Sequence, residues 1–327
     1  MQNENNRNMI IAIVLSIVVL FGWQFLVAGP QLEQAQRRAA IEQQQAATDT
    51  GLAAPAADGS AAPAAAATQA AGTFADRAAA IAATPRVNID TVALSGSISL
   101  TGARLDDLKL KQYTETVAPD SPIITLLNPS GAPAGYYVEQ GWVPASGATI
   151  AVPDGTSVWT VSGDNQTLTS TTPVTLTWDN GAGLVFRRLY SVDENYLFTV
   201  TQTVENQTGG DVALYAYSRI VRQGTPHVAN FFVQHEGPLG VLGANNLISK
   251  KYTDVVNDKQ IDASSNGGWI GFGDKYWATA VISEPLAPLN ARMSHVKQGN
   301  LDVYQTSFVE STPVVVPAAG SAEETSY

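Results

Sequence analysis

LFTVTQTVENQTGGDVALYAYSRIV, residues 197–221, is the stretch that decides the fold class. Leu197, Thr199, Thr201 and Thr203 alternate with Phe198, Val200, Gln202 and Val204. That period of two belongs to a strand whose faces meet different surroundings. The polar turn NQTGGD, Asn206–Asp211, follows, and Val212–Val221 resumes in β-branched and aromatic residues. Strand, glycine-containing turn and strand predict an antiparallel hairpin.

The same texture extends in both directions from Pro85 onward. Candidate strands are Val87–Leu94, Ser97–Leu100, Leu105–Gln112, Thr149–Val152, Ser157–Val161, Val174–Trp178 and Leu184–Val192, leading into the hairpin. Their spacing predicts a mainly β, antiparallel sandwich over residues 85–327 rather than βαβ units. No helical period lasts more than a turn or two there. His227–Gly243, HVANFFVQHEGPLGVLG, reads as loop, strand and loop, and its glycines open no helix, which argues against a phosphate cradle. Tyr252–Ile261 is polar and reads as a surface strand or loop. Gly267–Ile282, GGWIGFGDKYWATAVI, carries Trp269, Phe272, Tyr276 and Trp277, expected in the core.

Upstream the composition changes twice. Met9–Ala28, MIIAIVLSIVVLFGWQFLVA, holds no charge. About twenty such residues span a bilayer as a helix, which satisfies its own backbone hydrogen bonds in lipid. Phe21, Trp23 and Phe25 sit where aromatic rings favour the headgroup zone. The run exceeds the apolar core of a secretory signal, so it reads as an uncleaved transmembrane helix after a short lead, residues 1–8. Lysine and arginine counts leave its orientation open. Residues 29–84 are rich in Ala, Gln and Pro, and read as a disordered linker that buries too little surface to offset its ordering entropy.

The chain has 327 residues, 18 Lys and Arg against 29 Asp and Glu, and a net charge of −11. That balance excludes a nucleic-acid partner, which requires a basic stripe. Without cysteine there are no disulfides, thiolate catalysis or Cys-bound metals, a composition compatible with the bacterial periplasm. The histidines are His227, His235 and His295. Eight residues separate the first two, unlike a short metal pair. Together with Glu236 they make a site only if folding gathers them. Asp106–Asp107 lie in a strand, where neighbours face opposite ways, and are expected as solvated edge charge. No serine stands in a nucleophile elbow. The expectation is no catalytic, cofactor-binding or metal residue, and no enzyme.

Three local sequences carry a resemblance. The lead has Asn5, Asn6 and Arg7, with Trp23–Gln24 near the end of the apolar helix. Thr225–Pro226–His227 is followed by Phe231–Phe232 and by HEGPLG at His235–Gly240. Gly267–Ile282 supplies the GGWI…KYWATAVI pattern. In this order they resemble the YidC family of bacterial membrane-protein insertases, over its first transmembrane helix and large periplasmic domain. The resemblance implies a β-supersandwich in the periplasm of a Gram-negative cell, the amino terminus in the cytoplasm and the helix in the inner membrane. It implies as partners the lipid bilayer, nascent membrane-protein clients and the Sec translocon with its accessory subunits. Family members carry five further membrane helices and a groove arginine. No apolar run of that kind follows Ala28, so no position takes the arginine's role, and the chain reads as an N-terminal portion, its β domain possibly cut short at Tyr327. The family's fold is similar to mutarotase-like folds. That opens a rival reading as an anchored carbohydrate-binding or mutarotase-like protein, with His227, His235 or Glu236 as acid–base groups and Trp142, Trp159 or Trp178 as a sugar platform. A non-catalytic docking module is the third reading.

Overall fold

The computed structural model describes residues 74–226, 235–243 and 246–327. The helix expected at Met9–Ala28, most of the linker and His227 lie outside the described residues. Among the described residues no helix is long and apolar enough to cross a membrane.

Among the described residues, twenty strands follow one short helix, α1 (Arg77–Ala82). They are β1 (Arg86–Asp90), β2 (Leu94–Ser99), β3 (Arg104–Thr114), β4 (Ile123–Leu127), β5 (Tyr136–Pro144), β6 (Thr160–Ser162), β7 (Thr167–Leu168), β8 (Val174–Asp179), β9 (Leu184–Val192) and β10 (Phe198–Asn206). The second half has β11 (Val212–Gln223), β12 (Gly237–Leu242), β13 (Asn246–Ser249), helix α2 (Tyr252–Asp258), β14 (Gln260–Asn266), β15 (Gly268–Gly273), β16 (Ala278–Ile282), β17 (Pro288–Gln298), β18 (Leu301–Glu310), β19 (Val314–Val316) and β20 (Gly320–Ser326).

The strands form three sheets. The largest runs β14-β17-β18-β11-β5-β3-β2-β1-β7, with β19 on β11 and β4 on β3. A five-stranded sheet runs β20-β10-β9-β8-β6, and a four-stranded one β13-β12-β15-β16. Every pairing is antiparallel except β1 with β7. Alternation explains β9 and β10, whose odd and even residues divide between the core and the outer face. Ile98 and Leu214 of the large sheet, Phe186 and Val204 of the five-stranded sheet, and Ile270 and Phe272 of the four-stranded sheet share one apolar core. The expected antiparallel β class forms, but residues 197–221 do not make the expected hairpin: β10 pairs with β9 and β20 in the five-stranded sheet, β11 pairs with β5, β18 and β19 in the large one, and the turn Asn206–Asp211 carries the chain from one sheet to the other.

Several local expectations give way. Val87–Leu94 is not one strand: the Thr91 hydroxyl accepts from the amides of Ala93 (3.2 Å) and Leu94 (2.9 Å), turning the chain between β1 and β2. Thr149–Val152 is not a strand, because Ile150 and Val152 lean on the core without a neighbouring ladder. Tyr252–Asp258 is helix α2, held down by buried Tyr252 and Val255. The end of the expected linker is folded: Asp76 caps α1 by accepting from the Ala79 amide (2.8 Å), and Ala80 is buried.

Candidate functional site

The most polar interior point lies on β5. Glu139 faces Arg219 of β11 across the ladder, and the Arg219 guanidinium donates to it at 2.6 Å. From β3, Arg104 Nε donates to the other carboxylate oxygen at 2.8 Å, and the Tyr217 hydroxyl donates at 2.9 Å. Burial alone would raise the Glu139 carboxyl; Arg219 and then Arg104 outweigh it and hold it at about 2. Burial and the neighbouring Glu139 charge push the Tyr217 phenol up. All four groups are buried, and Arg104, Tyr217 and Arg219 each donate to the Glu139 carboxylate. The cluster is structural.

A third buried arginine joins two sheets. Arg188 on β9 donates to the carbonyls of Ala103 (3.0 Å) and Gln140 (2.6 Å) in the large sheet, and to Gln202 Oε1 (3.1 Å) on β10. Its guanidinium lies 4.9 Å from the ring centre of Trp159.

The carboxylates expected as solvated edge charge are interior. β2 and β3 slip register between Ser97 and Ile98: Ser97 opposes Asp107, Ile98 opposes Leu105, and Asp106 is the extra residue of a bulge. The bulge breaks strict alternation and buries both side chains. Asp106 pairs with Arg86, and Asp107 with Arg77 of α1. Asp107 also accepts from Ser97 at 2.6 Å.

His235 and His295 are placed apart. His235 Nδ1 lies 2.9 Å from Ser249 Oγ at the edge of the four-stranded sheet, and Glu236 follows it into β12. His295 Nε2 lies 2.7 Å from Asp302 across the β17–β18 hairpin. Asp302 sits below the usual carboxylate range, chiefly through that hydrogen bond. The rival sugar platform fails at Trp142 and Trp159, whose rings are core, and Trp178 is half-buried against Phe186. In Gly267–Ile282 the core expectation holds for Phe272; Trp269 and Trp277 are half-buried and Tyr276 is 73% exposed.

An open feature of this domain is apolar. A cavity of about 310 Å³ lies where the three sheets converge, lined by Leu105, Leu110 and Leu127 of the large sheet, Tyr190 and Phe198 of the five-stranded sheet and Val281 of the four-stranded sheet. At its rim Tyr113 and Trp277 meet edge to face at 4.7 Å, beside partly exposed Tyr196 and Leu197. Such a lining gains free energy by covering apolar surface, at about 25 cal/mol per Å². It presents no acid–base pair. Sequence reasoning placed Leu197 in a strand and missed this role, since the rim combines residues some eighty positions apart.

The family model of the YidC periplasmic domain matches residues 86–327. The chain belongs to the YidC family. Its YidC domain starts at Arg86, the first residue of β1. The membrane protein insertase YidC of Beijerinckia indica is 41% identical over 318 residues, covering 96% of this chain and 52% of the relative. That of Bradyrhizobium diazoefficiens is 44% identical over 326 residues, covering 97% and 52%. That of Nitrobacter hamburgensis is 45% identical over 318 residues, covering 97% and 51%. The chain therefore spans about half the length of the curated relatives it matches. A galactose mutarotase related enzyme from Lactobacillus acidophilus superposes with a TM-score of 0.48 at 11% identity, covering 74% of this chain and 96% of that one. So distant a likeness has no functional weight.

Proposed function

We propose that this chain is the N-terminal portion of a membrane-protein insertase and chaperone: an anchor, a tether and a periplasmic β domain. On this reading residues 1–8 lie in the cytoplasm, Met9–Ala28 span the inner membrane of a Gram-negative cell, and the domain from residue 85 stands in the periplasm. The observation that carries it is the 41–45% identity to insertases across 96–97% of this chain. The uncharged run Met9–Ala28 supports the anchor. The whole protein acts without covalent chemistry on nascent clients in the bilayer, alone or with the Sec translocon and its accessory subunits. Apolar client helices move from water to lipid, and burial of their surface drives the transfer. The domain is not an enzyme; the interlocked Glu139 and Arg219 and the apolar cavity are consistent with a packing module.

Reconstitution into liposomes tests the reading. This chain alone is expected to insert no client above protein-free liposomes, whereas a full-length relative inserts it. Insertion by this chain alone would overturn the assignment of the machinery to the remainder.

A further inference from the structure

The face of the large sheet turned away from the shared apolar core holds polar atoms that the Glu139 cluster does not account for. Arg104 Nη2, the Tyr137 hydroxyl, Ser130 Oγ and Gln223 Nε2 have no hydrogen-bond partner among the described residues. The four residues are at most 5% exposed. Buried donors left unmade are costly, most of all on a charged group. The fold makes these residues neighbours. Tyr137 stands opposite Val221 in the β5–β11 register and Gln223 is two residues further on, so Tyr137 and Gln223 share one face. The Arg104 guanidinium lies 5.1 Å from the centre of the Tyr137 ring. Ser130 adjoins the Tyr137 hydroxyl. Its loop, residues 128–135 between β4 and β5, is pinned by the Gly131 amide, which donates to Gln223 Oε1 at 3.1 Å. Pro133 and Ala134 of that loop are exposed, so the loop is the side of the group nearest solvent.

What the group lacks is an acceptor. Arg104 Nη2 and Gln223 Nε2 can only donate. The carboxylates at hand are engaged: Glu139 accepts from Arg104 Nε, Arg219 and Tyr217, Asp106 pairs with Arg86, and Asp107 pairs with Arg77. A water molecule accepting from these donors would still have two protons of its own to place. An oxyanion brings acceptors alone, and its bonds to a guanidinium are charge-assisted. A planar guanidinium beside neutral donors is the arrangement that recognises phosphate and carboxylate.

We propose that Arg104, Ser130, Tyr137 and Gln223 form a binding site for a small oxyanion of phosphate or carboxylate chemistry. Arg104 supplies the charge through Nη2 while its Nε stays on Glu139. Gln223 Nε2 and the two hydroxyls complete the shell. The bound ion ties β3, β5 and β11 to the loop between β4 and β5. The site is independent of the insertase reading and lies apart from the apolar cavity, whose lining includes none of the four residues.

Urea denaturation of the full chain in detergent tests the site, in sodium phosphate, sodium acetate and sodium chloride at equal ionic strength. A ligand that binds only the folded state raises the midpoint as its concentration rises. The midpoint is expected to rise with phosphate or acetate above its value in chloride, and the more effective salt identifies a tetrahedral or a planar ligand. Tyr137→Phe and Ser130→Ala remove hydroxyls that have no partner among the described residues. Both variants are expected to keep the parent's midpoint in chloride. In the effective salt, Tyr137→Phe is expected to weaken anion binding about tenfold or more, as for a lost hydrogen bond to a charged group. Equal midpoints in the three salts would overturn the proposal and leave the atoms to ordered water. A rise that both variants retain in full would overturn it too, as a general salting effect or binding elsewhere. Destabilisation of both variants in chloride would show that the hydroxyls are bonded within the protein, again overturning the site.

Discussion

Glu139 and Arg219 stand directly opposite each other on β5 and β11, joined at 2.6 Å with neither side chain reaching water. A second guanidinium, Arg104, holds the other carboxylate oxygen at 2.8 Å. Glu139→Gln leaves two buried cations without a counter-charge. Removing one partner from a buried ion cluster costs about 3–5 kcal/mol. The expected result is a lower urea midpoint with an unchanged slope. The pH dependence has a definite sign. Held at about 2, below the usual glutamate value, this carboxyl contributes stability that is full above the ordinary range and lost as pH falls towards 2. The Glu139→Gln protein is expected to lack that part of the acid transition.

Arg188 is expected to be irreplaceable by lysine. Its planar fork serves Ala103, Gln140 and Gln202 at once, and a single ammonium cannot reach the three with one geometry. Arg188→Lys leaves buried carbonyls unsatisfied, at about 1–3 kcal/mol each. Chemical denaturation is expected to report the loss. A melting temperature equal to that of the parent would contradict the clamp.

Glu310 predicts the opposite pH trend. Burial first, then its hydrogen bond and repulsion with Glu324 and repulsion from Glu284, push its carboxyl up to about 8. A raised folded-state value means the proton is bound more tightly after folding. This contribution to stability is therefore full below the ordinary glutamate value and declines as pH rises towards 8. Glu310→Gln, which is permanently neutral, is expected to match the parent near pH 5 and to melt higher near pH 9. Thermal melts at the two pH values check it.

The parts of the fold legible in sequence are those with one wet and one dry face. β9, β10 and β11 showed as strands because their apolar and polar residues alternate or their turn is polar. β5 did not, although it is central. YYVEQGWVP is buried along nearly its whole length, including Glu139 and Gln140, so no period of two survives. Its charge is matched by Arg104 and Arg219, which are 35 and 80 positions away, and no local pattern carries that information. Asp106–Asp107 misled for the same reason, with a bulge adding a register change that alternation cannot register. The cavity was invisible because its walls come from three sheets.

The most direct test of the account is the sidedness of the chain in its membrane. With no native cysteine, single substitutions report without background. Asn3→Cys lies in the lead and Asn165→Cys on the exposed loop between β6 and β7. In spheroplasts, a membrane-impermeant maleimide is expected to label Asn165→Cys and to leave Asn3→Cys unlabelled until the membrane is lysed, with the protein recovered in the membrane fraction. Labelling of Asn3→Cys with protection of Asn165→Cys, or recovery of the protein in the soluble fraction, would contradict an anchored periplasmic insertase domain.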